Sequence, residues 1–149
     1  MRTNSTSPPP GRRLIFLLNV AQRRLQRFVA AHSGGGTPAQ SGLLFVLGKH
    51  DGILMGEAGA ALDLGMPGTS GLVERMVEAG LIDKCADASD GRASRLWLTA
   101  SGRRALARAR TRAADINARL MEGFTDAEID IVSRWLASVQ TKFPKGDDQ

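Results

Sequence analysis

Residues 62–102 read LDLGMPGTSGLVERMVEAGLIDKCADASDGRASRLWLTASG, and the order of turn residues and apolar periods in this stretch decides the fold. Leu64-Gly65-Met66 makes a turn, and Pro67 suits the first turn of a helix, where a missing N–H leaves no bond unmade. That helix spans Pro67–Ala79, and Gly80 closes it as a C-terminal cap. Leu81–Cys85 then reads as a strand, 86–94 as a polar tip and Arg95–Thr99 as a returning strand. In the second strand Leu96 and Leu98 share one face, Arg95 and Trp97 the other. Just upstream, Gly56–Leu62 is a short helix. Two short helices around a tight glycine-containing turn make a helix-turn-helix, and a hairpin directly after it makes a wing around Asp87–Arg95.

Helices flank this unit on both sides. Upstream, Leu14, Leu18, Ala21, Leu25 and Phe28 recur at spacings of three and four, one stripe along a helix of about Leu14–Ala31. Ser33-Gly34-Gly35-Gly36 stops it. Thr37-Pro38-Ala39-Gln40 has the form of a capping box opening a second helix, which ends near His50 ahead of an Asp51-Gly52 turn. Ile53-Leu54-Met55 is long enough only for a bridging strand. Downstream, Thr99 caps a long helix reaching about Glu122, with Leu106, Ala109, Ala113, Ile116 and Leu120 as a coiled-coil-like seam. Thr125-Asp126-Ala127-Glu128 is a second capping box, and the last helix carries the stripe Ile129, Val132, Leu136, Val139 and Phe143. The expected class is mainly α with a minor β component: a winged helix-turn-helix whose N- and C-terminal helices form a dimerisation bundle. The corresponding divisions are a disordered basic arm at 1–13, a helical dimerisation region at 14–36 and 113–149, and a DNA-binding region at 37–112 that includes the first half of the long helix.

Composition agrees with a small helical protein. The chain has 149 residues, is 42% hydrophobic and 23% charged, and has no tyrosine. Its one cysteine, Cys85, excludes an intramolecular disulfide framework. The apolar run Leu14–Leu18 is too short for a secretory core or a membrane span, so a cytoplasmic protein with no membrane partner is expected. The net charge of +5 is unevenly placed. Residues 1–36 hold six arginines and no acid, whereas 37–80 hold two basic and five acidic residues. Residues 81–112 hold eight basic and three acidic, and 113–149 four and seven. The helix-turn-helix is thus itself acidic. Attraction to a polyanion must come from the wing and the start of the long helix: Lys84, Arg92, Arg95, Arg103 and Arg104.

Leu64–Arg75, Glu78-Ala79-Gly80-Leu81-Ile82, Asp90-Gly91-Arg92 and Leu98-Thr99-Ala100-Ser101-Gly102, in that order, resemble the MarR family of bacterial transcription regulators. The resemblance implies a homodimer straddling a pseudo-palindrome on double-stranded DNA. It implies that Pro67, Gly68, Thr69, Ser70 and Gly71 meet base edges in the major groove and that Arg75 meets phosphate. It implies further that Asp90 pairs with Arg92 or a neighbouring arginine to brace the wing, and that Arg92 enters the minor groove. Gly68 and Gly71 depart from the pattern, since family members often carry a longer polar side chain near Gly71. Two glycines allow close backbone approach but remove reading side chains, which shifts specificity toward the wing and DNA shape. The resemblance also implies a small aromatic or phenolic anion as effector, for which Asn19, Arg23 and His32 are the polar candidates and Arg23 a bidentate partner for a carboxylate.

Other chemistry lacks its residues. Two histidines, His32 and His50, without paired ligand spacing do not make a zinc site. Gly34-Gly35-Gly36 lies between helices with no Gly-Lys-Ser/Thr loop, and no Gly-x-Ser-x-Gly elbow occurs. No cofactor and no enzymatic activity are expected. Cys85 beside Lys84 is a candidate oxidant sensor or a small packing residue. The function expected is a sequence-specific DNA-binding regulator, a repressor released by a small aromatic or phenolic carboxylate. The alternatives are an architectural DNA-binding protein of low sequence preference and a protein-binding adaptor without DNA affinity.

Overall fold

A computed structural model describes residues 12–32 and 34–144. Most of the arm expected at 1–13 lies outside the described residues; of its last two positions, Arg13 places its guanidinium 4.2 Å from the centre of the Phe16 ring. The chain divides into two compact units, one up to Ala109 and one from Arg110 onward.

The first unit holds α1 (Leu14–His32), α2 (Pro38–Lys49), β1 (Ile53–Leu54), α3 (Met55–Ala61), α4 (Met66–Glu78), β2 (Ile82–Ala86), β3 (Ser94–Leu98) and the start of α5 (Ala100–Met121). Its local signals are those written in the sequence. Thr37 accepts from the Gln40 N–H while the Gln40 side chain accepts from the Thr37 N–H, a complete capping box. Gly80 stands at φ +70°, in the left-handed region that favours glycine. The Gly80 and Leu81 N–H groups bond back to Val77 and Met76, 2.9 and 3.0 Å. This C-terminal cap withdraws Leu81 from the strand, so β2 begins at Ile82, one residue later than its apolar run suggests. At the other end α4 starts at Met66, which places Pro67 within its first turn.

The three strands form an antiparallel sheet in the order β1-β3-β2. β3 pairs with both neighbours: Ile53 opposes Leu96, and Ile82 opposes Leu98. Leu96 and Leu98 face inward and are buried, whereas Trp97 is exposed, as the alternation predicts. They close a core with Leu43, Leu44 and Leu47 of α2, Ala58 of α3, Leu72, Val73 and Met76 of α4, and Ala105 and Leu106 of α5. No residue of α1 is buried, and Leu14, Leu18 and Leu25 of its stripe are exposed.

The second unit contains the remainder of α5 and α6 (Asp126–Lys142). Thr125 and Glu128 complete the second capping box. The Thr125 backbone N–H and hydroxyl hold the Glu128 carboxyl below its ordinary range. α6 likewise buries none of its residues, and Val132, Leu136 and Phe143 are exposed. No helix among the described residues is long and apolar enough to cross a membrane.

Candidate nucleic-acid interface

The surface that could face DNA is built on the first unit, from α4 and the hairpin β2–β3. α4 has two unlike faces. Thr69, Leu72, Val73 and Met76, at spacings of three and four, are its buried side. Pro67, Gly68 and Arg75 lie exposed, with Ser70 and Gly71 partly so. Thr69 is therefore a correction to the sequence reading. It is only 2% exposed, and its hydroxyl donates to the Gly65 carbonyl at 2.9 Å. A β-carbon at Gly59 of α3 would lie 2.3 Å from the Thr69 oxygen. Thr69 thus seats α4 on α3, and its hydroxyl has no free path to a base. The signal was in the sequence: Thr69 continues the Leu72, Val73, Met76 stripe backward by one turn.

Ser70, Pro67, Gly68 and Gly71 remain at the open side of the first turns of α4. A β-carbon at Gly68 would touch only Leu64 carbons at 3.9 and 4.0 Å, and one at Gly71 only the far end of the Arg75 side chain at 3.3 Å. Neither glycine is required by packing.

The wing is organised by Asp87, a residue the sequence reading used only to mark its edge. Asp87 is 8% exposed. One carboxylate oxygen accepts from Arg95 Nε. The other accepts from the Ser89 hydroxyl and from the Ser89 and Asp90 N–H groups, at 3.1 and 3.0 Å for the latter two. The Ser89 hydroxyl foremost, then Arg95 and the backbone donors, hold the carboxyl well below the usual carboxylate range, against the burial that would raise it. Arg95 reaches further, donating from Nη1 to the Gly52 carbonyl at 2.7 Å. The expected brace between Asp90 and an arginine side chain is replaced by this Asp87–Arg95 pair. Asp90 instead accepts the Arg92 backbone N–H at 3.0 Å, a local turn bond. Arg95 accordingly helps frame the wing, with Nε on Asp87 and Nη1 on the Gly52 carbonyl.

The other cations separate in the same way. Arg103 pairs with Asp51 at 3.0 Å, and Arg104 donates to the Ser101 hydroxyl at 2.9 Å. The other Asp51 oxygen accepts the Leu98 N–H at 2.8 Å, so the turn after α2 is tied to β3 and to α5 together. Lys84 and Arg92 are exposed and have no side-chain partner among the described residues. Cys85, also exposed, opposes Arg95 in the ladder.

Of the effector candidates, Arg23 lines a shallow groove on α1 with Gln26, Arg27 and Ala30, and Arg27 Nε donates to the Arg23 carbonyl at 3.3 Å. Asn19 is exposed one turn earlier. His32 is engaged locally, stacked on Phe28 at 4.1 Å with its Nδ1 2.8 Å from the Phe28 carbonyl oxygen. The groove gathers Arg23 but neither Asn19 nor His32. Among the described residues, no group of three or more His, Cys, Asp or Glu side chains could hold a metal ion.

Residues 35–93, from just before α2 to the residue that precedes β3, match the model of the MarR family. The fold recurs in solved structures. A probable transcriptional regulator from Pseudomonas aeruginosa is 28% identical, with a TM-score of 0.79 over 85% of this chain and 96% of that one. The transcriptional repressor CouR, solved bound to a 23-mer DNA duplex, is 29% identical, with a TM-score of 0.77 over 85% and 91%. The PcaV regulator from Streptomyces coelicolor, solved with its natural ligand, shares the fold at 24% identity, with a TM-score of 0.79 over 95% and 98%. A comparison with curated protein sequences finds no match.

Proposed function

We propose, from the match of residues 35–93 to the model of the MarR family, that the protein is a homodimeric, sequence-specific transcription repressor acting on a pseudo-palindromic operator. One observation carries the reading. A single rigid core presents the open first turns of α4, with Pro67, Gly68, Ser70 and Gly71, and a braced hairpin whose Arg92 and Lys84 side chains have no protein partner among the described residues. The helix start offers hydroxyl and backbone donors to base edges and phosphates, and Arg75 offers a phosphate contact on the same exposed side. Arg92 supplies a cation for a narrow minor groove. The exposed stripes of α1 and α6 support self-association, because water-exposed leucines in rows are what a shared helical bundle would cover.

The similarity of the fold to a regulator solved with its natural ligand supports an effector. The groove beside Arg23 suits a small aromatic carboxylate, with Arg23 and Arg27 as its cations.

Selection of bound fragments from random DNA tests the main reading. The expected outcome is an inverted repeat with half-sites about one helical turn apart, preferred over bulk DNA by at least ~10³-fold. Enrichment without preference would instead favour an architectural protein, the outcome that Gly68 and Gly71 make worth testing. No enrichment at all would favour an adaptor. Calorimetry with a panel of aromatic acids tests the effector, and absence of heat with every acid would refute it.

A further inference from the structure

We infer that Asp87 is a positioning residue for DNA binding: with Arg95 as its partner, it holds the wing loop in the shape that presents Arg92. The inference rests on the DNA-binding reading above and adds how the wing is prepared for its partner.

The loop from Asp87 to Ala93 is closed on itself by backbone and carboxylate together. The Asp87 N–H donates to the Ala93 carbonyl at 2.9 Å, and the Ala93 N–H donates to the Asp90 carbonyl at 3.0 Å. Asp87 Oδ2 takes the Ser89 and Asp90 N–H groups. Arg92 thus lies between Asp90, fixed through the Asp87 side chain, and Ala93, fixed through the Asp87 backbone. Its own N–H is taken by Asp90 Oδ1. The anchor outside the loop is Arg95, which ties the Asp87 carboxylate to the Gly52 carbonyl at 2.7 Å. Gly52 in turn donates to the Leu96 carbonyl at 2.8 Å, and its neighbour Asp51 holds the Leu98 N–H and Arg103. An Arg92 side chain on a free loop would lose conformational entropy on entering a groove; on this loop much of that ordering is already done by folding.

The placement separates two roles that charge alone would merge. A carboxylate on a wing that meets phosphates repels them, so by electrostatics alone Asp87→Asn should tighten binding. If Asp87 positions Arg92, the same change weakens it. Arg95 also divides the two accounts. A phosphate-contacting arginine contributes about 0.9 to the slope of log affinity against log salt, whereas a framing arginine changes affinity without changing that slope.

The test is a fluorescence-anisotropy titration of the full chain with the selected DNA site across a salt series. It compares wild type with Asp87→Asn, Arg95→Ala, Arg92→Ala and Asp87→Asn/Arg92→Ala. Asp87→Asn and Arg95→Ala are expected to lower affinity on the order of tenfold with the wild-type salt slope. In the Arg92→Ala background, Asp87→Asn should have little further effect. Tighter binding by Asp87→Asn, a slope reduced by about 0.9 in Arg95→Ala, or full additivity of the double variant overturns the inference. Hydrogen exchange supplies a readout independent of DNA. Asp87→Asn should speed exchange at Ser89, Asp90 and Ala93 while α4 amides keep their protection, and unchanged exchange at those three overturns the inference too. Wild-type protein that binds no DNA in the titration refutes the regulator reading itself. Should Asp87→Asn lose protection throughout α4 as well, Ser89→Ala, which removes only the hydroxyl donor, replaces it in both measurements with the same expected directions.

Discussion

Replacing Gly102 by alanine should destabilise the protein, although it puts a better helix former into a helix. Gly102 lies in the first turn of α5, where that helix runs against the backbone leaving α4. A β-carbon there would sit 2.0 Å from the Leu81 carbonyl oxygen, 3.0 Å from its carbon and 3.1 Å from Leu98 Cδ2. Ordinary carbon contacts begin at 3.4 Å, so the two backbones must separate by about 1.4 Å. The nearer partner, the Leu81 carbonyl, is backbone and cannot swing aside as a side chain could. The junction also holds the Thr99 N–H on the Leu81 carbonyl at 3.2 Å and the Thr99 hydroxyl on the Gly80 carbonyl at 2.7 Å. Overpacking of this kind costs about 1–3 kcal/mol, and two lost hydrogen bonds add about 1 kcal/mol each. The gain in helix propensity returns about 1 kcal/mol. The balance is a loss of about 2–4 kcal/mol, which with a urea m-value of about 2 kcal/mol/M lowers the midpoint by about 1–2 M. Equilibrium urea unfolding at fixed protein concentration measures it. A Gly102→Ala midpoint equal to or above wild type would refute the steric reading of this junction.

The same substitution should have the opposite sign in α4: Gly68→Ala and Gly71→Ala meet no backbone and should each raise stability by up to ~1 kcal/mol while weakening DNA binding, a split visible by pairing urea midpoints with anisotropy. Arg92→Ala should weaken binding to the selected site and reduce the salt slope by about 0.9; an unchanged gel-shift titration would remove Arg92 from the interface. Leu136→Glu alters a side chain 46% exposed in the isolated chain, so a monomeric protein should tolerate it within about 0.5 kcal/mol, whereas a shared bundle should dissociate, as sedimentation would show. Asp87 and Glu128 both have depressed folded pKa values, so each contributes stability that is complete above the unfolded carboxylate values near 4 and is lost as pH falls through the folded ones. Acid titration of stability should accordingly decline below about pH 5, and Glu128→Gln should flatten that decline.

What the sequence made legible are features whose physics is local. Thr37 with Gln40 and Thr125 with Glu128 sit three residues apart, within reach inside one turn, so helix starts follow from residue type alone. Gly80 marks a left-handed cap, and Leu96 and Leu98 mark a buried strand face by simple alternation. Element boundaries moved by about one residue, at Leu81 because a cap competed with the strand. The site was harder because its residues are set by contacts between elements. Thr69 looks like a reading residue by chemistry and behaves as a packing residue by position, because the Gly59 backbone of α3 leaves room for it. Asp87 and Arg95 are eight residues apart in the chain, and only the hairpin register, with Cys85 opposite Arg95, brings them together.

The charge map was the most misleading guide, and the reason is specific. Summed by segment, residues 81–112 are strongly basic, and every cation there counts equally toward a polyanion. In the fold, two of them are claimed by carboxylates on or beside the wing: Arg95 by Asp87 and Arg103 by Asp51. On the proposed reading those pairs divide the labour of DNA binding more than they subtract from it. The paired arginines hold β3 and the start of α5 to the turn at Asp51-Gly52, and that rigidity lets Arg92 and Lys84 stand as cations with no protein partner among the described residues. A wing of the same net charge with its acids placed elsewhere would attract DNA equally at long range, where only summed charge acts. It would present a mobile Arg92 and give up part of the contact energy to ordering the loop. If Arg92 meets DNA as proposed, its presentation depends on where the acids sit as much as on how many arginines there are.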